Sequence, residues 1–293
     1  MDSMFCINKI YKTMISYTLA QKNIVKLITG SHFKEKHPAK RKKVIVFDLD
    51  ETIGHFSHLH MIYKCLIEVF PGTDQPAFNQ LLDLYPEFFR PGILTIFDFL
   101  FNKKKDTSIF KLYIYTNNQC EESWAKMIAD YIQSKVVQPP GPILFDKIIN
   151  AFKVKNRVVE LKRTSNSKSY SDFIKCTMLP EDTVETCFID NTYYEKMCDS
   201  KVYYILPKAY FHSLRKNTMI QRVVGLYHDN QVLKDMLIQK LGENNMRAEV
   251  NEVAVTKKIM YLVREFLYYP KFPRVNKTRR HGRVANKKSK RQR

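Results

Sequence analysis

The chain is 293 residues long, 44% hydrophobic and 27% charged, which allows one substantial core with flanking segments and is too apolar for a disordered chain. Forty-nine Lys and Arg against 29 Asp and Glu give a net charge of +20. No stretch approaches the roughly 20 apolar residues of a transmembrane helix, and Lys9, Lys12 and Lys22 interrupt every apolar run that could serve as a secretory signal. Six cysteines without a CxxC pair speak against a zinc knuckle or a thioredoxin-type motif. They fit reduced thiols in the nucleus or cytoplasm, and no membrane partner is expected.

Residues 1–42 read as an N-terminal helix and a basic linker. Ile10, Met14, Tyr17, Ile24, Leu27 and Ile28 recur at roughly helical spacing, Gly30 is a natural stop, and Ser31 to Lys43 is rich in Lys and His around Pro38. The pattern then changes. Lys43 to Phe47 is a short β-branched run of the kind found in a strand buried on both faces, and Lys111–Tyr115, Thr186–Ile189 and Val202–Leu206 resemble it. Helical stretches lie between these runs at Gly92–Phe101, Glu121–Ser134 and Asp172–Leu179. Such alternation predicts an α/β fold with a Rossmann-like parallel sheet over residues 43–212. Asn230–Leu241 and Val253–Tyr268 read as amphipathic helices of a C-terminal extension, residues 213–270. From Lys271 to Arg293 there are eleven Lys or Arg and no acidic residue. A disordered basic tail is expected there, suited to nuclear targeting or to nonspecific contact with nucleic-acid phosphates.

Three of the strand runs end in polar residues, and in an open α/β sheet ligands bind beyond the carboxyl ends of the strands. These ends are Asp48-Leu-Asp-Glu-Thr52, Thr116-Asn117-Asn118 and Asp190-Asn191-Thr192. Asp48 presents a carboxylate able to attack phosphorus, and Asp50 is placed to protonate the leaving oxygen and later to activate water. Two adjacent carboxylates repel each other, which raises one pKa and favours that division of roles. A phosphoryl group adds further negative charge, so a cation is needed, and oxygen ligands suit Mg²⁺. Asp48, the backbone carbonyl of Asp50, Asp190 and Asn191 would supply the ligands. Thr116, with Asn117 beside it, would bind a phosphate oxygen, and a lysine would neutralise the remaining charge. The plainer alternatives are helix caps at Asp48 and Asp190 and a turn at Asn117-Asn118. His55, His58 and His60, spaced three and two apart, do not resemble a zinc site and fit exposed or core-edge positions better.

The order DxDxT after a strand, Thr after the next, then Lys, then Asp-Asn after a later strand resembles the haloacid dehalogenase superfamily. The likeness is closer to its NIF-like branch, the phosphatases of the C-terminal repeat domain of RNA polymerase II. Asp48 to Thr52 with His55 is similar to that branch's opening, and Arg90-Pro91-Gly92 with the apolar run Ile93 to Leu100 is similar to its RPG…FL element. Phe188-Ile-Asp-Asn-Thr192 is similar to its DNSP element, with Thr192 for Ser and Tyr193 where Pro is expected. The likeness covers about residues 43–212, and the basic tail and many tyrosines resemble versions encoded by large DNA viruses. It implies a Mg²⁺-dependent phosphoric monoester hydrolase with a small cap or none, acting through a phospho-aspartate at Asp48. The substrate it implies is phosphoserine or phosphothreonine in a protein, with the polymerase repeat domain foremost. Lys168, just ahead of Ser169-Tyr-Ser-Asp172, is the expected lysine, with Lys162 and Lys175 as alternatives. A nucleic-acid end phosphatase of the same superfamily and a catalytically silent binding scaffold are the rival functions.

Overall fold

Runs of β-branched and aromatic residues with no polar face can settle only in strands covered on both sides. In the computed structural model, which describes residues 24–35, 41–72, 75–107, 110–121, 123–137, 141–243 and 250–269, they do so. β1 (Val25–Thr29), β2 (Lys42–Phe47), β3 (Phe110–Tyr115), β4 (Lys147–Ile149), β7 (Val184–Ile189) and β8 (Val202–Pro207) form one six-stranded sheet in the order β1-β8-β7-β2-β3-β4. All neighbours are parallel except β1, which runs antiparallel to β8. A separate two-stranded hairpin, β5 (Lys153–Val154) with β6 (Arg157–Val158), follows β4. The chain is therefore α/β with a mostly parallel central sheet.

Alternation along the strands divides the core in two. Val44, Val46, Tyr113, Tyr115, Phe188 and Tyr204 face one side, covered by Tyr170, Phe173 and Cys176 of a short helix, Tyr170–Thr177. Ile45, Phe47, Ile114, Cys187, Ile189 and Ile205 face the other. There the layer consists of α1 (Ser57–Val69), α2 (Gln75–Asp83), α3 (Ile93–Thr107), α4 (Trp124–Val136), α6 (Lys216–Leu226), α7 (Gln231–Lys240) and α8 (Glu252–Tyr268), the short helix being α5. Asn230 and Asn251 cap α7 and α8 by accepting hydrogen bonds from Leu233 N and Ala254 N. The C-terminal helices share this core: Val223, Leu237, Ile259 and Phe266 pack in the same cluster as the sheet.

The helix expected at the N-terminus is corrected where it can be checked. Val25 to Thr29 is an edge strand whose Leu27 pairs with Ile205. Five residues gain a full ladder with a partner nearly 180 positions away, and no local periodicity reveals such a partner. Gly30 is a tight crossing rather than a helix stop, since a Cβ there would meet the carbonyl oxygens of Asp199 and Ser200 at 2.2 and 2.1 Å. The sheet thus begins at Val25, ahead of the boundary expected at residue 43. The first 23 residues and the basic tail, with the expectations for both, lie outside the described residues. Cys65, Cys120, Cys176, Cys187 and Cys198 are free thiols, as expected. No helix among the described residues is long and apolar enough to cross a membrane.

Candidate active site

The chain leaves β2 towards β3 on one side and returns through β7 on the other, so the carboxyl end of β2 is the topological switch point of the sheet. Register decides what meets there. Phe47 lies opposite Ile189 and Ile114, so the next residues, Asp48 and Asp190, come side by side on neighbouring strands. Both continue the face of Val46 and Phe188, the side on which α5 packs. The residues just before α5 therefore deliver Lys168 to the two carboxylates: its Nζ lies 2.5 Å from Asp48 Oδ1 and 2.7 Å from Asp190 Oδ2. Its stem is sunk among Tyr115, Phe188 and Tyr194, with Nζ 5.5–5.8 Å from their ring centroids.

Asp48, Thr116, Lys168 and Asp190 are all buried. Thr52 Oγ1 lies 2.9 Å from both Asp48 Oδ2 and Asn191 Oδ1 and accepts from Asn191 N, so its single proton serves one acceptor at a time. Asp190 Oδ1 accepts from Thr192 N at 2.7 Å. Thr116 Oγ1 accepts from Asn118 N at 3.0 Å, and Asn118 Nδ2 donates to Asp50 Oδ2 at 2.8 Å. The three strand ends are thus linked by hydrogen bonds into one cluster. Thr116 and Asn117 flank it, with Asn117 Nδ2 bonded to Tyr194 OH at 3.0 Å across the gap between the β3 and β7 ends.

The electrostatics are lopsided. Burial and the neighbouring Asp48 charge push Asp50 up to about 7, with Asn118 and Lys168 opposing. Asp190 is likewise pushed to about 7 by burial and by Asp48, even though it shares Lys168. Burial disfavours the Lys168 ammonium, but Asp190 and Asp48 more than offset it and hold the lysine above its usual range. One cation is shared by more negative charge than it neutralises.

The loop carrying Asp50 is held under strain. Glu51 has φ of 54°, in the left-handed region a side chain seldom adopts. Arg90, fully buried, secures it: Nε donates to Thr52 O at 2.8 Å and Nη2 to Glu51 O at 2.7 Å, while Nη1 meets Glu252 Oε2 at 2.5 Å. This is what the RPG segment does here, and it ties the loop to the first turn of α8. Gly54 closes the same turn, since a Cβ there would meet Phe88 O at 2.4 Å.

Besides Lys168, Lys162 is exposed and Lys175 lies outside the cluster, 3.9 Å from Asp172 Oδ1. His58 and His212 are buried core-edge residues in contact at 3.0 Å, with the His55 ring against His212. Burial holds both below the ordinary range, His212 at about 3. His60 instead pairs with Glu121 at 2.9 Å. Sequence reasoning missed Asn118 as the partner of Asp50, Tyr194 over Lys168, and Arg163, whose guanidinium sits beneath the Thr116 loop. Only the fold separates buried Arg163 from its exposed neighbour Lys162. A cavity of about 1060 Å³ between α4 and the β4 edge is lined by none of the cluster. Comparison with protein-family models, curated proteins and solved structures finds no match.

Proposed function

We propose that the chain is a Mg²⁺-dependent phosphatase of the haloacid dehalogenase type, with Asp48 as nucleophile and Asp50 as general acid and base. The observation that carries this reading is the charge imbalance at the β2 switch point. Asp48, Asp50 and Asp190 against Lys168 leave −3 + 1 = −2 when all are ionised, and burial pushes two of the three carboxylates to about 7. Buried negative charge without compensation calls for a cation. The donor set fits a hard one: Asp48 and Asp190 carboxylates, the Asp50 carbonyl and the Asn191 amide oxygen would hold Mg²⁺. No cage of three or more His, Cys, Asp or Glu side chains occurs among the described residues, and Mg²⁺, which keeps several waters, does not require one. When bound, it would neutralise charge on the phosphoryl oxygens.

The residues then have separable tasks. Asp48 attacks phosphorus, forming a P–O bond to its carboxylate as the bond to the leaving oxygen breaks. Asp50, protonated up to about pH 7, gives its proton to that leaving oxygen. The resulting carboxylate takes a proton from water, which attacks phosphorus, releases phosphate and restores Asp48. Thr116 and Asn117 hold the phosphoryl oxygens, and Lys168 fixes Asp48 and spreads positive charge over the site.

Phosphoserine or phosphothreonine in a protein, such as the polymerase repeat domain, is the substrate class we propose, and the +20 net charge favours acidic phosphopeptides. Free thiols accord with action in the nucleus or cytoplasm. The test is hydrolysis of p-nitrophenyl phosphate with and without Mg²⁺. Wild type is expected to turn over only with the ion, and Asp48→Asn to lose at least about 10⁴-fold in kcat. A folded, Mg²⁺-treated wild type that leaves both this substrate and phosphopeptides intact would overturn the proposal in favour of a binding scaffold.

A further inference from the structure

Arg163 lies in none of the motifs, yet it is 2% exposed and directs its guanidinium at the phosphate-binding end of β3. Nη1 donates to Thr116 O at 2.9 Å and to Asn150 O at 2.7 Å. Nη2 donates to Asn117 Oδ1 at 2.6 Å and to Asn166 O at 3.2 Å. All four acceptors are uncharged, and Cζ stands 4.7 Å from the Tyr115 ring centroid. Burying a guanidinium against neutral oxygens is an expensive way to join loops, so the arrangement calls for a return in function.

We infer that Arg163 is a positioning residue that sets the phosphate-binding geometry of Thr116 and Asn117; this rests on the phosphatase reading. The Thr116–Asn117 peptide is the pivot. In a trans peptide the carbonyl and the following N–H point in opposite directions, so holding Thr116 O on the guanidinium turns the Asn117 N–H away from it. The same fork holds Asn117 Oδ1, which leaves Asn117 Nδ2 to donate to Tyr194 OH at 3.0 Å. Tyr194 in turn packs beside Lys168. Asn166, the fourth acceptor, lies two residues before Lys168. One planar group thus coordinates the β3 end, the β4 end and the turn that delivers the lysine. A lysine cannot reproduce this, because its single ammonium lacks the fixed fork.

The test compares wild type, Arg163→Lys, Arg163→Gln and Asn117→Ala in Mg²⁺. Three quantities are measured: p-nitrophenyl phosphate hydrolysis per folded molecule, inorganic-phosphate binding by calorimetry, and melting temperature. Both Arg163 variants are expected to lose about 100-fold in kcat/KM, the loss that a misplacement of about 1 Å brings. Their phosphate binding weakens in parallel. Asn117→Ala, which keeps the main-chain bonds to Arg163, loses about 10-fold. If Arg163→Gln fails to fold, Arg163→Lys and Asn117→Ala carry the test. Arg163→Lys within twofold of wild type, or a lower melting temperature with unchanged phosphate binding, overturns the positioning role alone. A wild type that neither hydrolyses the ester nor binds phosphate brings down the phosphatase reading itself.

Discussion

Strands β2 and β7 carry a buried cation–carboxylate cluster at each end, and the two clusters differ in balance. At the amino end Lys43 and Glu185, register partners, form an ion pair, with His32 3.2 Å from the same carboxylate. Lys43 also lies 4.6 Å from the Phe266 ring centroid, so the pair docks α8 against the sheet. At the carboxyl end Lys168 faces three carboxylates. The first cluster is closed: one carboxylate held by Lys43 and His32 under aromatic cover. The second is open, with charge left over and two acids displaced to about 7. Unequal charge balance separates a clasp from a reaction centre.

Breaking the closed cluster should have the largest effect on stability. Glu185→Gln leaves the Lys43 ammonium buried without its partner and should destabilise the fold by about 3–5 kcal/mol, read by urea denaturation at pH 7. Turnover per folded molecule should stay within a few-fold of wild type. The paired replacement Lys43→Met with Glu185→Leu should recover most of that loss, because a buried pair adds little over well-packed apolar groups.

The open cluster should respond in the opposite sense. Asp50 binds its proton more tightly in the folded state, at about 7 against 3.8 when unperturbed. Its contribution is therefore fully favourable below about pH 4 and is lost as pH rises to about 7. In chelator-treated protein Asp50→Asn should raise stability at pH 8 by on the order of 1–2 kcal/mol, discounted for partial exposure. The gain should shrink towards zero as the pH approaches 4. Equal stability of both proteins at pH 8 would show that the site carries no surplus charge. The smallest effect belongs to the surface. Lys126 and Asp130 pair at 2.5 Å on an exposed face of α4, and Lys126→Ala should change stability by less than about 0.5 kcal/mol.

The open cluster was far more legible in the sequence than the closed one. Asp48, Thr116 and Asp190 each follow a short apolar run, and in a parallel sheet adjacent strand ends converge by construction. Lys168 was singled out from Lys162 and Lys175 only by the resemblance, which places a lysine ahead of a short helix. The Ser169 cap of α5, whose side chain accepts from Asp172 N at 3.2 Å, became visible with the fold. Long-range pairing was what the sequence hid. β1 needs β8 before it is a strand, and Arg90 needs Glu252, 162 positions on, before its charge can be buried. Lys43 and Glu185 each read as an ordinary strand-edge charge until register places them opposite one another.

The most direct test of the central claim is to trap the covalent intermediate. Wild type turning over p-nitrophenyl phosphate in Mg²⁺ is acid-quenched, reduced with borohydride and mapped by peptide mass spectrometry. An aspartyl-phosphate at position 48 is expected, seen as homoserine in the peptide that carries it and lost in Asp48→Asn. Sustained turnover with position 48 unmodified, or with the label at another residue, would contradict the claim.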